Sequence, residues 1–226
     1  YYHCDREGIL VWQDMPGGGD SPRWQQRKYF DGLEFERSVE SEENFRREWK
    51  GIMDLTYSNP CVVVWVPFNE SWGQFKTKEI AEWTKNYDPS RLVNPASGGN
   101  HYETGDILDM HNYPEPVMGI YDSRRSNVLG EYGGIGLPVD GHLWESGRNW
   151  GYVQYKTSEE ATDAYVKLAE KLLGLIPNGY SAAVYTQTTD VESEVNGLMT
   201  YDRKVVKMVE ERIRKVNLEV CNSLGK

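Results

Sequence analysis

The stretch Asn59–Gln74, NPCVVVWVPFNESWGQ, decides the fold. Cys61 to Val66 is apolar without alternation, the pattern of a strand covered on both faces, as in a parallel sheet. Pro67-Phe68-Asn69-Glu70 ends the run and leaves a carboxylate at the strand's carboxyl end. The segments to either side read as helices. Phe45, Trp49, Ile52 and Thr56 recur at helical spacing before it, and Ile80, Trp83 and Tyr87 after it.

The same alternation extends along the chain. Candidate strands are Ile9–Gln13, Cys61–Val66, Arg91–Pro95, Ile107–His111, Asn127–Glu131 and Ser181–Gln187. A third helical face carries Ala161, Tyr165, Leu168, Leu172 and Leu175, and a fourth Val205, Val209, Ile213 and Val216. Ser41 before Glu42-Glu43-Asn44 and Thr157 before Ser158-Glu159-Glu160 read as capped helix starts. Strand–helix alternation implies a mostly parallel sheet with right-handed crossovers.

Loop lengths refine this to a barrel. Helix-to-strand connections are short: Ser58-Asn59-Pro60, Asp88-Pro89-Ser90 and Pro177-Asn178-Gly179. Strand-to-helix connections are long and rich in Gly, Trp and Tyr, one from Asp14 to Glu40 and another from Tyr132 to Lys156. Elaborated loops at the carboxyl ends of the strands fit a (β/α)8 TIM barrel or a doubly wound sheet. No GxGxxG or phosphate-binding loop follows a strand, which removes the nucleotide-binding version. The fold expected is therefore α/β, a (β/α)8 barrel with six visible strand–helix units and its first two strands missing. Residues 1–226 are expected to form one catalytic barrel domain, the C-terminal portion of a longer protein, because YYHCDREGILVWQDMP opens as a helix end running into a strand.

Composition narrows the function classes. The formal charge of −10 leaves no basic stripe for nucleic acid or an anionic membrane surface. Mean hydropathy is −0.68. The longest apolar run, Cys61 to Phe68, falls far short of the roughly 18–20 residues of a membrane span. Cys4, Cys61 and Cys221 are an odd, widely spaced set without a zinc pattern, so no disulfide framework, metal or cofactor is expected. No signal peptide is visible, and the compartment stays open.

Two carboxylates carry the chemistry. Glu70 ends one apolar strand. Glu131 ends another in NVLGEYGG, where glycines let the backbone turn without crowding. Alone, either glutamate reads as a surface loop carboxylate. Together, at the ends of two non-adjacent strands, they supply what glycoside hydrolysis needs, a protonated donor and an ionised nucleophile.

Phe68-Asn69-Glu70 followed by Gly130-Glu131-Tyr132 resembles the acid/base and nucleophile pair of glycoside hydrolase family 2. That family holds β-galactosidases, β-glucuronidases and β-mannosidases. CDREGILVWQDMP resembles its third barrel strand, NPCVVVWVPFNESWGQ the fourth, ILDMHNYPEP the sixth and NVLGEYGG the seventh. YTQTTDVESEVNGLMTYDRK resembles the eighth strand and its loop, so the resemblance covers essentially the whole chain. It implies a retaining β-glycosidase acting on terminal β-linked sugars, with Glu70 as acid/base and Glu131 as nucleophile. It further implies that Asn69 binds the sugar 2-hydroxyl, that Tyr113 holds Glu131 ionised, and that His111 and Asn112 line the pocket.

Aromatic rings in the long loops suit sugar faces. For each of Trp24, Trp72, Trp144 and Trp150, closing a loop over the barrel is the more ordinary role; Trp72, two residues past Glu70, is the best candidate for the site, and Trp144 is included with it. Asp14 and Gln187 also face the mouth by position. The family carries N-terminal β-sandwich domains and two barrel strands before this point. The isolated piece is accordingly expected to be impaired or inactive, with two open sheet edges that offer a route to edge-mediated association. Rival readings are another retaining barrel hydrolase of mannanase or cellulase type, and a non-catalytic carbohydrate-binding barrel.

Overall fold

The computed structural model describes residues 1–225. Contacts divide the chain into two compact units. One holds Tyr1–Met110 with Gly119–Asn127, and the other holds His111–Met118 with Val128–Lys226.

In the first unit, helix α1 (Tyr2–Glu7) ends at Gly8, whose left-handed backbone turns the chain toward strand β1 (Val11–Asp14). Helix α2 (Val39–Thr56), strand β2 (Val62–Val66), helix α3 (Thr77–Tyr87) and strand β3 (Leu92–Val93) follow. The three strands form one sheet in the order β1–β2–β3, parallel throughout. Val11 pairs with Val62 and Trp12 with Val64, so the register shifts once at the start of β1. Of the run that read as doubly covered, Cys61, Val62, Val64, Trp65 and Val66 are buried and Val63 is partly so.

Helix α2 starts earlier than Ser41. Ser38 is the cap, its hydroxyl accepting the Ser41 backbone N–H at 3.2 Å. The helix buries Phe45, Trp49, Met53 and Thr56, one face at helical spacing, against Trp65, Phe68, Phe75 and Ile80. Trp49 donates its indole N–H to Thr84 Oγ1 at 3.0 Å, which fixes α2 against α3 without leaving a buried donor unpaired. The turn Asp88-Pro89-Ser90 is more than a connector. Fully buried Asp88 accepts from the Trp65 indole at 3.0 Å and from Arg91 at 2.6 Å.

Strands β4 (Ile107–Asn112) and β5 (Ser126–Gly133) each run from the first unit into the second. The second unit continues with the two-residue strands β6 (Ile135–Gly136) and β7 (Val153–Gln154), helix α4 (Ser158–Leu175), strand β8 (Tyr180–Thr186) and helix α5 (Glu210–Cys221). Strands β4, β5 and β8 form a sheet in that sequence, and β6 pairs with β7 in parallel. All six segments read as strands therefore carry one. Thr157 caps α4 as expected, with Glu160 returning a bond to the Thr157 backbone to complete a capping box. Helix α5 begins at Glu210, so Val205 lies outside it. Thr200 and Asp202 bind the backbone of Val205 and Lys204 and hold that segment as a turn. Among the described residues no helix is long and apolar enough to cross a membrane.

Candidate active site

Glu70 stands directly after β2, where the chain leaves the sheet. Asn69 bridges to Ser97, Ser97 N–H donates to Phe68 O at 2.9 Å, and Glu70 N–H donates to Ser97 O at 2.9 Å. The sheet ladder is thereby prolonged past the last strand residue, which anchors the Glu70 backbone. Beyond it the chain turns sharply: Glu70 has φ 49° and Ser71 φ 67°, left-handed values that non-glycine residues adopt at a cost of about 1–3 kcal/mol each. Trp72 N–H closes the turn on Asn69 O at 3.0 Å. The Asn69 side chain contributes something more specific. Its Oδ1 is shielded from solvent and accepts no hydrogen bond from the protein. A buried acceptor without a donor costs free energy until a donor arrives, and a ligand hydroxyl is a suitable one. Trp72 is 54% exposed, an accessible ring two residues past Glu70.

Glu131 stands near the end of β5, after the buried run Asn127 to Gly130. Three side chains gather around it. The Tyr113 hydroxyl donates to Glu131 Oε2 and shares a second hydrogen bond with Thr186 Oγ1 at 2.9 Å. His111 Nδ1 lies 3.5 Å from Glu131 Oε2, its side chain wholly out of solvent while that of Glu131 is 29% exposed. Burial first, and then the neighbouring Glu131 charge, push the Tyr113 phenol well above the ordinary tyrosine range. The shift favours the protonated phenol, and a donor on a carboxylate favours its ionised form. The expected role of Tyr113 thus has its contact in the structure.

Asn112 sits beside this group, but its amide is occupied: Nδ2 donates to Glu115 O at 2.7 Å, across the cis Tyr113–Pro114 peptide. Trp144 is 62% exposed and packs edge-on against Tyr201 at 5.5 Å. Trp150 packs edge-on against Tyr152 at 5.4 Å. Trp24 donates to Gly98 O at 3.1 Å, which favours its reading as loop packing. Gln187, following a cis Thr186–Gln187 peptide, donates to Asn196 Oδ1 at 2.7 Å and ties the end of β8 to its own loop. Asp14 is exposed at the end of β1.

Two residues at Glu131 escaped the sequence reading. Thr186 ends β8 and touches the Tyr113 oxygen. Tyr152 stacks face to face on Tyr113, with ring centroids 3.6 Å apart and planes within 3°. Nothing in the local pattern around Tyr152 marks it, because its partner Tyr113 lies just past the end of β4, far back in the chain.

The chain is similar in fold to solved glycoside hydrolases. A β-glucuronidase from an uncultured Clostridium superposes over 96% of this chain with a TM-score of 0.65 at 12% identity, and 42% of the larger protein is covered. A glycoside hydrolase family 2 β-galacturonidase from Eisenbergiella tayi, bound to galacturonate, covers 94% of this chain with a TM-score of 0.59 at 17% identity, over 42% of its own length. β-Glucuronidase 2 from Bacteroides uniformis, covalently bound to cyclophellitol-6-carboxylate aziridine, covers 89% with a TM-score of 0.57 at 16% identity, over 27% of its length. The chain thus spans less than half of each of these proteins. At such identities the likeness is one of fold. No family model matches the sequence, and no curated protein does.

Proposed function

We propose that the chain carries the two catalytic carboxylates of a retaining β-glycosidase of the family 2 kind, on the C-terminal portion of a (β/α)8 barrel. The observation that carries this reading is the Tyr113 hydroxyl on Glu131 Oε2, at the end of an apolar strand. A carboxylate that served only as a surface charge would gain nothing from a half-buried phenol whose pKa is raised and whose hydroxyl is directed onto it. The unpaired Asn69 Oδ1, one residue before Glu70, supports a sugar hydroxyl beside the proton donor.

In this reading a Glu131 oxygen attacks the anomeric carbon as the bond to the aglycone oxygen breaks. Glu70 gives its proton to that departing oxygen, and the sugar becomes an ester of Glu131. Glu70, now ionised, takes a proton from water as the water oxygen attacks the same carbon. The ester breaks, Glu131 returns as carboxylate, and the sugar leaves with its configuration retained. Asn69 strengthens its hold on the 2-hydroxyl as positive charge develops on the ring. The fold relatives named for glucuronides and galacturonides make β-linked uronides the first substrates to try.

The test assays the full-length protein on chromogenic β-glucuronides, galacturonides, galactosides, mannosides and glucosides, with product configuration read by NMR. Glu131→Gln should abolish turnover. Glu70→Ala should spare substrates with good leaving groups and lose natural ones, because only the latter need protonation. Sugar binding without turnover, or a Glu131→Gln variant that turns over normally, overturns the reading in favour of a carbohydrate-binding barrel.

A further inference from the structure

Tyr152 is 44% exposed, so burial of its ring is a weak reason for its placement. The backbone nevertheless fixes it on both sides. Tyr152 N–H donates to Gly134 O at 3.0 Å, and Tyr155 N–H to Gly136 O at 2.8 Å. On the other side, Trp150 N–H donates to Ser193 O at 2.9 Å and Val195 N–H to Trp150 O at 2.8 Å. The Trp150 ring meets Tyr152 edge-on at 70°. A side chain on Gly134 would collide with this arrangement, its Cβ falling 2.3 Å from Tyr152 Cδ2 and 3.0 Å from Tyr113 Cδ1. Gly134 N–H also donates to Thr186 O at 2.9 Å, next to the hydroxyl that touches the Tyr113 oxygen. Tyr113 is therefore gripped at its ring face by Tyr152 and at its oxygen by Thr186. The stack is tighter than the roughly 4.5–7 Å that aromatic pairs adopt by preference, so the backbone, and not ring attraction, sets it.

We propose that Tyr152 is a positioning residue for Glu131, acting through Tyr113 by fixing the plane of its ring and hence the direction of its hydroxyl. This rests on the reading of Glu131 as nucleophile. A tyrosine ring turns about two side-chain torsions, and a hydrogen bond weakens steeply once its angle departs from linear. With Tyr152 in place, the Tyr113 hydroxyl has one direction, onto Oε2. Without it, the ring rotates and the carboxylate loses its donor for part of the time. Glu131 then binds a proton more readily and attacks less often, while the sugar's own contacts are unchanged.

The experiment compares Tyr152→Phe and Tyr152→Leu in the full-length protein, with Tyr152→Asn as a second ring deletion should leucine disturb the loop. The Glu131 carboxyl is titrated directly by carbon NMR, its signal assigned through Glu131→Gln, alongside kcat and KM. The ring deletions should raise the Glu131 pKa by about half a unit or more and lower kcat about tenfold, with KM within roughly twofold. Tyr152→Phe, which keeps the ring, should match the parent. An unmoved Glu131 titration overturns the proposal. So does a raised KM with unchanged kcat and titration, which would make Tyr152 a platform for the sugar. The nucleophile reading fails separately: Glu131→Gln would then retain turnover, even with the Glu131 titration responding to Tyr152.

Discussion

Lys207 Nζ lies 2.6 Å from Asp190 Oδ1, and both side chains are almost completely removed from solvent. The ammonium spends its remaining donors on Leu137 O at 3.0 Å and Val195 O at 2.8 Å, and Asp190 Oδ1 also accepts Gly197 N–H at 2.8 Å. One ion pair thus gathers three loop segments of the second unit. Burial pushes the Lys207 pKa down and the Asp190 pKa up, each opposed by its partner. Asp190→Ala strands a buried cation and should cost about 3–5 kcal/mol in chemical denaturation. The double change Asp190→Leu with Lys207→Met should recover only part of that loss, because it removes the stranded charge but leaves Leu137 O, Val195 O and the Gly197 N–H without these partners.

Tyr113→Phe removes the donor on Glu131 and keeps the ring. A hydrogen bond to a charged group contributes about 1.5–3 kcal/mol, so kcat should fall roughly ten- to hundredfold. The lost donor had favoured the carboxylate, so the Glu131 pKa rises. The acidic limb of the kcat/KM profile should accordingly move to higher pH, and an unmoved limb would show that Tyr113 does not tune Glu131.

Gly134→Ala places a methyl group where the rings of Tyr152 and Tyr113 already stand, on a backbone with φ 64°. Overpacking and left-handed strain together should lower stability by about 2–4 kcal/mol, measured as a reduced denaturation midpoint.

Asp122 sits in the first unit with Arg124 bonded through its guanidinium and backbone N–H, Tyr29 donating at 2.8 Å and Arg125 at 3.1 Å. The Arg124 guanidinium, ahead of the others, holds its carboxyl well below the usual range. Because the folded pKa is depressed, the stabilisation is fully present above the unfolded value of about 3.9 and fades as pH falls below it. The stability gap between parent and Asp122→Asn should therefore narrow between about pH 4 and pH 2, followed by urea unfolding at each pH.

Local signals explain which parts of the molecule were legible in sequence. Cys61–Val66 needed no context, since an unbroken apolar run bounded by prolines describes its own surroundings. The capping box at Thr157 was readable for the same reason, as all its partners lie within four residues. Ser41 misled because Ser38, three residues earlier, has the same chemistry and wins the cap. Strands β6 and β7 were invisible, since two residues carry no period. Among the candidate residues, Glu70 and Glu131 announced themselves as carboxylates ending apolar runs, whereas the role expected of Tyr113 came only with the family resemblance. Tyr152 and Thr186 depend on contacts between distant segments, which no window of sequence displays.

The turn after Glu70 leans on a part of the chain far upstream. Gly73, at φ 58°, backs so closely onto Gly18 that a Cβ there would fall 1.7 Å from the Gly18 carbonyl oxygen. Arg37 reaches both Gly18 O at 2.8 Å and Gly73 O at 3.0 Å and clasps the two loops together. For anyone recombining loops between proteins of this fold, residues 15–37 and 69–75 therefore form one indivisible cassette. A donor loop moved without its counterpart would arrive with its glutamate attached but its hinge unseated.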